Sequence, residues 1–489
     1  MTDLPGHSVL TFNATGQLES EADSTGRGQS FAYNSSGEVS SITDAAGQQV
    51  TLTYSGSLLS QAALPDGQDV GYAYNSSGQL TSVTEPGGGQ WQYTYNPAGL
   101  LATAEDPDQH VTLQNTYNSS GQVTQQKDGD GNSTSFSYTT TSGGLSEADV
   151  TAPDGGITTY LYDAGMLLEK IGPVGNATTT FNYNNFGEPI NVTDPLGRVT
   201  SYDYDDTGDL TTETDNLGHS QSWTYDDSGN ALTYEDADSN TTTYTYNSTA
   251  EVLTATAQDG QETQYTYNPD GSLASEISAR GYTTTYSYYG DGMLNSVTTP
   301  DSDTTTYTYD SMGFPLTVKD PMARVTTYGY DGAEQVTSVT TPAGETKYGH
   351  DADGNLTSRE DPDQNTWTYA YNTDSDLAKA TDPLGNSDTY GDDGDGNQTS
   401  FTDARGTTTT TTYYLDDQPE KITYSDGTPS VSYQYDADGE ATSVADGTGT
   451  QSLSYDGDGG LTAEGGFSYT YDPAGNLSSR KYPDGTTTS

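Results

Sequence analysis

Three short segments place oxygen ligands at alternate positions: Asp128-Gly129-Asp130-Gly131-Asn132, Asp351-Ala352-Asp353-Gly354-Asn355 and Asp393-Gly394-Asp395-Gly396-Asn397. Carboxylate and amide oxygens at this spacing suit a hard divalent cation, and the D-x-D-G-N form resembles the opening of a calcium loop. The bidentate glutamate that closes an EF-hand loop is missing from each. All three also fall at turns of the repeat described below, where turn chemistry alone would place Asp, Gly and Asn. Asp128, Asp130, Asn132, Asp351, Asp353, Asn355, Asp393, Asp395 and Asn397 therefore stand as weak calcium turns, and no other cofactor is expected. Four histidines (His7, His110, His219 and His350) are scattered along the chain, none beside a recurrent serine motif. A Ser-His-Asp triad is not expected from that pattern, and the chain reads as a non-enzyme. Twelve Asn-x-Ser/Thr sequons occur, including Asn13, Asn34, Asn75, Asn118 and Asn247, and would accept glycans if the chain is exported.

What must position these groups is set by an unusual composition. Seventy-one acidic residues against 14 basic ones leave a formal charge of −57, a surface that repels nucleic acid and anionic membranes. Only 30% of the residues are hydrophobic, and 40 tyrosines outnumber 8 phenylalanines, so much of the apolar area carries a polar tip. A thin or hollow β structure fits such material better than a thick core. Turn preference explains the excess aspartate but not the scarcity of lysine, which points to life in concentrated salt, where screening silences self-repulsion. There is no cysteine, which excludes disulfides and a Cys-based zinc site. The N-terminal segment shows no secretory signal, and no apolar run approaches the ~18 residues of a membrane span.

Aligning the chain on the second aromatic of each Tyr-x-Tyr gives anchors from Phe12 to Tyr471, among them Tyr204, Tyr225, Tyr246, Tyr267 and Tyr309. Of the 22 spacings between anchors, 15 are 21 residues, with an unbroken run from Tyr162 to Tyr330. His350 and Asp392 take the anchor position in two units. Thr263-Gln264-Tyr265-Thr266-Tyr267 alternates with period two, so both tyrosines share one face of a strand. Asn268-Pro269-Asp270-Gly271 then reads as a type I turn with a glycine bulge, and Ser272 to Ile277 returns as a second strand. A second tight turn follows about 11 residues after the anchor, as in Asp194-Pro195-Leu196-Gly197 and Asp382-Pro383-Leu384-Gly385. Tight turns enforce antiparallel neighbours. The expected fold is all-β: a long antiparallel meander of two-stranded repeats, about 46 strands over residues 1–489 as one continuous array. Open sheets of that size twist, so the strip is expected to spiral into a hollow shell, with a parallel β-solenoid or rod as the alternative.

Units such as Tyr471-Asp472-Pro473-Ala474-Gly475-Asn476-Leu477, Tyr225-Asp226-Asp227-Ser228-Gly229-Asn230 and Tyr204-Asp205-Asp206-Thr207-Gly208-Asp209-Leu210 resemble the YD repeats of the Rhs family. That family includes polymorphic toxins, the B and C components of Tc toxins, and the teneurins. The resemblance implies a β-sheet strip spiralling into a shell that encloses a toxic domain in one branch and serves cell-surface adhesion in another. Toxin-type members finish in a core with an aspartate-dependent cleavage site, and no such core is visible here. The Asp-Pro-Leu-Gly segments at 194 and 382 sit at the ordinary second turn and are read as turns. The expected role is structural: part of an extracellular or cell-surface Rhs-type shell encapsulating or presenting a cargo such as a toxin. The expected partners are the remainder of a larger polypeptide, a toxin cargo, or further copies of the chain, with neither nucleic acid nor membrane insertion. The alternative is an adhesive or matrix-like exoprotein binding neighbouring cells, filament subunits or carbohydrate.

Overall fold

The computed structural model describes residues 9–22 and 27–488; His7 lies outside them. The described residues form 47 strands and no helix. Their pairings are antiparallel between sequence neighbours, the pattern of a meander and not of a parallel solenoid. Glu262–Tyr267 pairs with Leu273–Ile277 through Gln264↔Ile277 and Thr266↔Ser275, and that strand pairs onward with Thr283–Tyr288 through Ser275↔Thr285.

The turn explains the local geometry. In the unit ending at Tyr267, the Gly271 N–H donates to the Asn268 carbonyl at 3.0 Å, and the Asn268 N–H donates to the Ser272 carbonyl at 2.8 Å. Gly271 sits at φ 80°, the left-handed conformation that closes the loop. The register then slips at the anchor: Thr266 faces Ser275 but Tyr267 faces Leu273, leaving Ala274 extra. The same slip occurs at Tyr204, Tyr246 and Tyr309, and each such bulge adds twist and bend to the strip. The fourth turn position keeps positive φ even where the residue is not glycine, as at Ser239 (62°), Ala250 (64°) and Gln364 (68°). Backbone closure dictates that conformation, and the side chain tolerates it.

Along Glu262–Tyr267 the tyrosines are half-buried and the intervening threonine is exposed, as alternation requires. No large side chain is fully buried among the described residues; the buried residues among them are Ala62, Asp106, Gly156 and Ser272. With so thin a core, hydrogen bonds carry part of the cohesion. The Tyr267 hydroxyl donates to the Val252 carbonyl at 2.9 Å, at the start of the return strand one repeat earlier. Tyr33, Tyr54, Tyr95, Tyr204 and Tyr246 repeat that bond to the carbonyl 15 residues back. This is why the anchor is tyrosine and seldom phenylalanine: the ring covers the sheet while the hydroxyl ties successive hairpins together.

By contacts, the residues group into two units. One is drawn from Met1–Val111, Tyr225–Leu232 and Thr242–Tyr369, the other from Thr112–Thr224, Thr233–Thr241 and Ala370–Ser489. Each unit thus joins an early stretch of the meander to a late one. Inside each, second turns of the early stretch meet first turns of the late stretch, forming a seam. In the first unit, a Cβ added at Gly87 would lie 2.7 Å from the Ala333 Cβ, so glycine permits that approach. In the second, Asp374 accepts hydrogen bonds from the N–H groups of Gly129 (2.7 Å) and Asp130 (3.1 Å), 245 and 244 residues away.

Candidate functional site

Turn aspartates and asparagines divide by position. The first residue of a turn bends its side chain back over its own loop. Asp128 Oδ1 accepts from the Asn132 N–H at 2.7 Å and Oδ2 from the Asn132 side chain at 2.9 Å. Asp393 Oδ1 accepts from the N–H groups of Asp395 (3.1 Å) and Asn397 (2.9 Å), and Asp351 Oδ1 from Asn355 N–H at 2.8 Å. The third residue does something else: it reaches across the seam. Asp130 accepts from Asn372 Nδ2 at 2.9 Å and from the Thr373 hydroxyl, while Asp395 Oδ2 accepts from the Asp154 N–H at 3.1 Å. Asp353 enters a cluster with Asp106 and His110. The two aspartates of each D-x-D-G-N segment thus serve different loops, and Asp353 alone of the nine candidate residues clusters with a histidine.

The sequon asparagines Asn13, Asn34, Asn75, Asn118 and Asn247 occupy the first turn position and cap it as aspartate does. Asn34 Oδ1 accepts from the N–H groups of Ser36 (2.9 Å) and Glu38 (3.0 Å), and Nδ2 donates to Glu38 Oε2 at 2.8 Å. Asn13, Asn75, Asn118 and Asn247 repeat both halves of that pattern. A glycan on Nδ2 would have to displace the side-chain bond. The anchors Tyr204, Tyr225, Tyr246, Tyr267 and Tyr309 each end a strand and are half-buried.

The seams also hold cations that the sequence reading left out. Arg198 bonds Asp194 of its own turn, then Asp438 and Glu440 (3.0 Å) of the opposing turn, with its side chain 19% exposed. Burial opposes ionisation of Asp194, but the bonds from Arg198 outweigh it and hold that carboxyl below its ordinary value. His219 takes the equivalent position opposite Asp215 (2.8 Å) and Asp458 (3.4 Å). Burial alone would lower its pKa, yet the bond and charge of Asp215 and the charge of Asp458 raise it. His110 lies 3.5 Å from Asp106, which is 3% exposed. Burial and the charges of Asp106 and Asp108 push Asp353 up to about 6. Half of each arrangement was legible as an acid followed four residues later by Arg or His within a second turn. The opposing acid had no local signal.

A strip of antiparallel hairpins with acid-lined turns defines a β-repeat wall protein. The teneurin YD-shell family model matches residues 219–351, and the RHS repeat model matches residues 74–111, 183–220 and 350–387. The chain thus carries RHS and YD-shell repeats at these residues. A comparison with curated protein sequences finds no significant match. Among solved structures, the chain is similar to the crystal structure of TcdB2-TccC3-Cdc42 (TM-score 0.66, 13% identity, 99% of this chain and 36% of that one). It is similar in the same way to a Photorhabdus luminescens Tc holotoxin pore (TM-score 0.65, 13% identity, 99% and 36%). At this identity the likeness is one of fold, and the chain spans about a third of those proteins' length.

Proposed function

We propose that this chain is a structural segment of an extracellular or surface-displayed β-shell, and that it belongs to a larger Rhs-type assembly enclosing or presenting a cargo such as a toxin. The observation that carries the reading is fold likeness over 99% of the chain to structures containing Tc toxin components. A half-buried tyrosine face, hydroxyl ties between hairpins and cation-bridged seams suit a wall, which needs cohesion without a thick core. Electron microscopy of the isolated chain and of a longer polypeptide containing it tests the reading. Curved or closed hollow bodies support it; straight rods or fibres would sink it. The adhesive alternative draws on apolar turn tips left in solvent: Phe186, Met322 and Leu384 are 86%, 74% and 87% exposed. Under that reading, polar substitution of the three tips abolishes self-association or surface binding.

A further inference from the structure

Three slots in the seams share one construction. The first residue of a second turn is aspartate, the fifth carries a nitrogen, and the third residue of the opposing first turn is aspartate. The sets are Asp194, Arg198 and Asp438; Asp215, His219 and Asp458; and Asp106, His110 and Asp353. In the arginine version, the guanidinium fork reaches three carboxylates at once, those of Asp194, Asp438 and Glu440. An imidazole has no such fork. His219 turns a single nitrogen, Nδ1, toward both acids, and His110 turns Nδ1 toward Asp106. Asp353 Oδ1 is buried with no hydrogen-bond partner among the described residues. The histidine slots therefore present more ligand atoms than one imidazolium proton can satisfy.

We propose that the two histidine slots are zinc-type sites, each binding one divalent transition-metal ion through an imidazole Nδ1 and two carboxylate oxygens. In both, the ligand atoms lie within 4.8 Å of one another. Ligands about 2.0–2.2 Å from a tetrahedral zinc stand about 3.3–3.6 Å apart. The His219 Nδ1 to Asp458 Oδ2 separation of 3.4 Å already matches, as does the His110 Nδ1 to Asp106 Oδ2 separation of 3.5 Å. The turn backbone orients the ligands: His219 N–H donates to Asp215 Oδ1 at 2.8 Å and His110 N–H to Asp106 Oδ1 at 2.7 Å, which turns each Oδ2 toward the imidazole. At His219 the Nδ1 to Asp215 Oδ2 contact of 2.8 Å is a hydrogen bond that an entering metal would replace by parting the two atoms. A mixed nitrogen and oxygen set selects zinc, cobalt or nickel over calcium, which prefers oxygen alone. Access is open at the second site, where Asp215, His219, Asp458 and Pro473 line a cavity of about 440 Å³. Bound metal would clamp turns 239 residues apart in sequence (His219 to Asp458) in the second unit and 243 apart (His110 to Asp353) in the first.

The test titrates the whole chain with Zn²⁺ and, separately, Co²⁺, following heat and visible absorption. Two saturable equivalents, a tetrahedral-type cobalt spectrum and persistence in excess Ca²⁺ are expected. His110→Asn and His219→Asn should each remove one equivalent, and the double variant both. His219→Arg, which copies the Arg198 slot, should fold normally yet lose its zinc equivalent. Zinc should raise the thermal midpoint and EDTA reverse it. Binding whose stoichiometry ignores the histidine variants would overturn the proposal. So would a midpoint that ignores zinc but rises as pH falls through the imidazole range, since the histidines would then act as protonated stand-ins for arginine.

Discussion

Asp236 and Asp238 stand two residues apart in one turn, and their carboxyls shift in opposite directions. Asp236 receives hydrogen bonds from the side chain and N–H of Asn240, which hold it below its ordinary value. Asp238 is raised, first by burial and then by the charges of Asp472 across the seam and of Asp236. The contrast recurs. Loop-capping Asp361, Asp382 and Asp403 are lowered by donors from their own turns. Seam-facing Asp374 and Asp395 are raised, chiefly by burial. One residue type thus closes loops where N–H groups point at it and strains a seam where other acids do. A cation relieves the strain, which makes Arg198 the strongest point of a seam and third-position aspartates that face other acids the weakest.

The largest expected effect comes from removing that cation. Arg198→Ala leaves the acids of both turns facing one another and should cost about 2–4 kcal/mol in denaturant unfolding. Arg405→Ala, whose side chain is 85% exposed beside the capping Asp403, should leave the unfolding midpoint essentially unchanged. Equal losses would erase the distinction between cap and seam. Tyr246→Ala should cost about 2–3 kcal/mol, less than a fully buried aromatic because the ring is half-covered. Tyr246→Phe removes only the bond to the Ala231 carbonyl and should cost about 1 kcal/mol. Asp392 holds an anchor position, and burial with the charges of Asp376, Asp393 and Asp130 raises its pKa. Asp392→Tyr should therefore gain about 1 kcal/mol from restored area and a hydroxyl tie.

Acidity separates the two classes by sign. Caps have folded pKa values below 3.8, so their contribution is present above that pH and lost as pH falls through the folded value. Seam acids have folded values above 3.8; their contribution is full below it and lost as pH rises through the folded value. Protection factors, which remove the intrinsic pH dependence of amide exchange, should therefore rise at the Gly129 and Asp130 amides on acidification from neutrality, while those of capped loops stay unchanged until well into acid. Parallel behaviour of both sets would break the comparison. A small gain is expected from Ser239→Gly, which relieves a positive φ of 62° in a capped loop and should add about 0.5–1 kcal/mol in thermal unfolding.

Much of the fold lay open in the sequence. The period-two tyrosines, the Asx turns and the glycine spacing specify hairpins because strand alternation and loop closure act over a few residues. The first-position caps at Asp128, Asp351 and Asn34 follow from the same short-range rules, as does the Asp-x-x-x-His/Arg half of each seam slot. In D-x-D-G-N the first aspartate caps its own loop by those short-range rules, whereas the partner of the second lies on an opposing turn that no local spacing names. Which turns oppose one another was decided by tertiary structure. The pairing of Arg198 with Asp438 spans 240 residues, and it depends on twist and bend accumulated over many bulged hairpins. No local spacing encodes that sum, so the sequence by itself determines the strip and its turns, while only the folded strip brings a cap's neighbour to face an acid, a guanidinium or an imidazole.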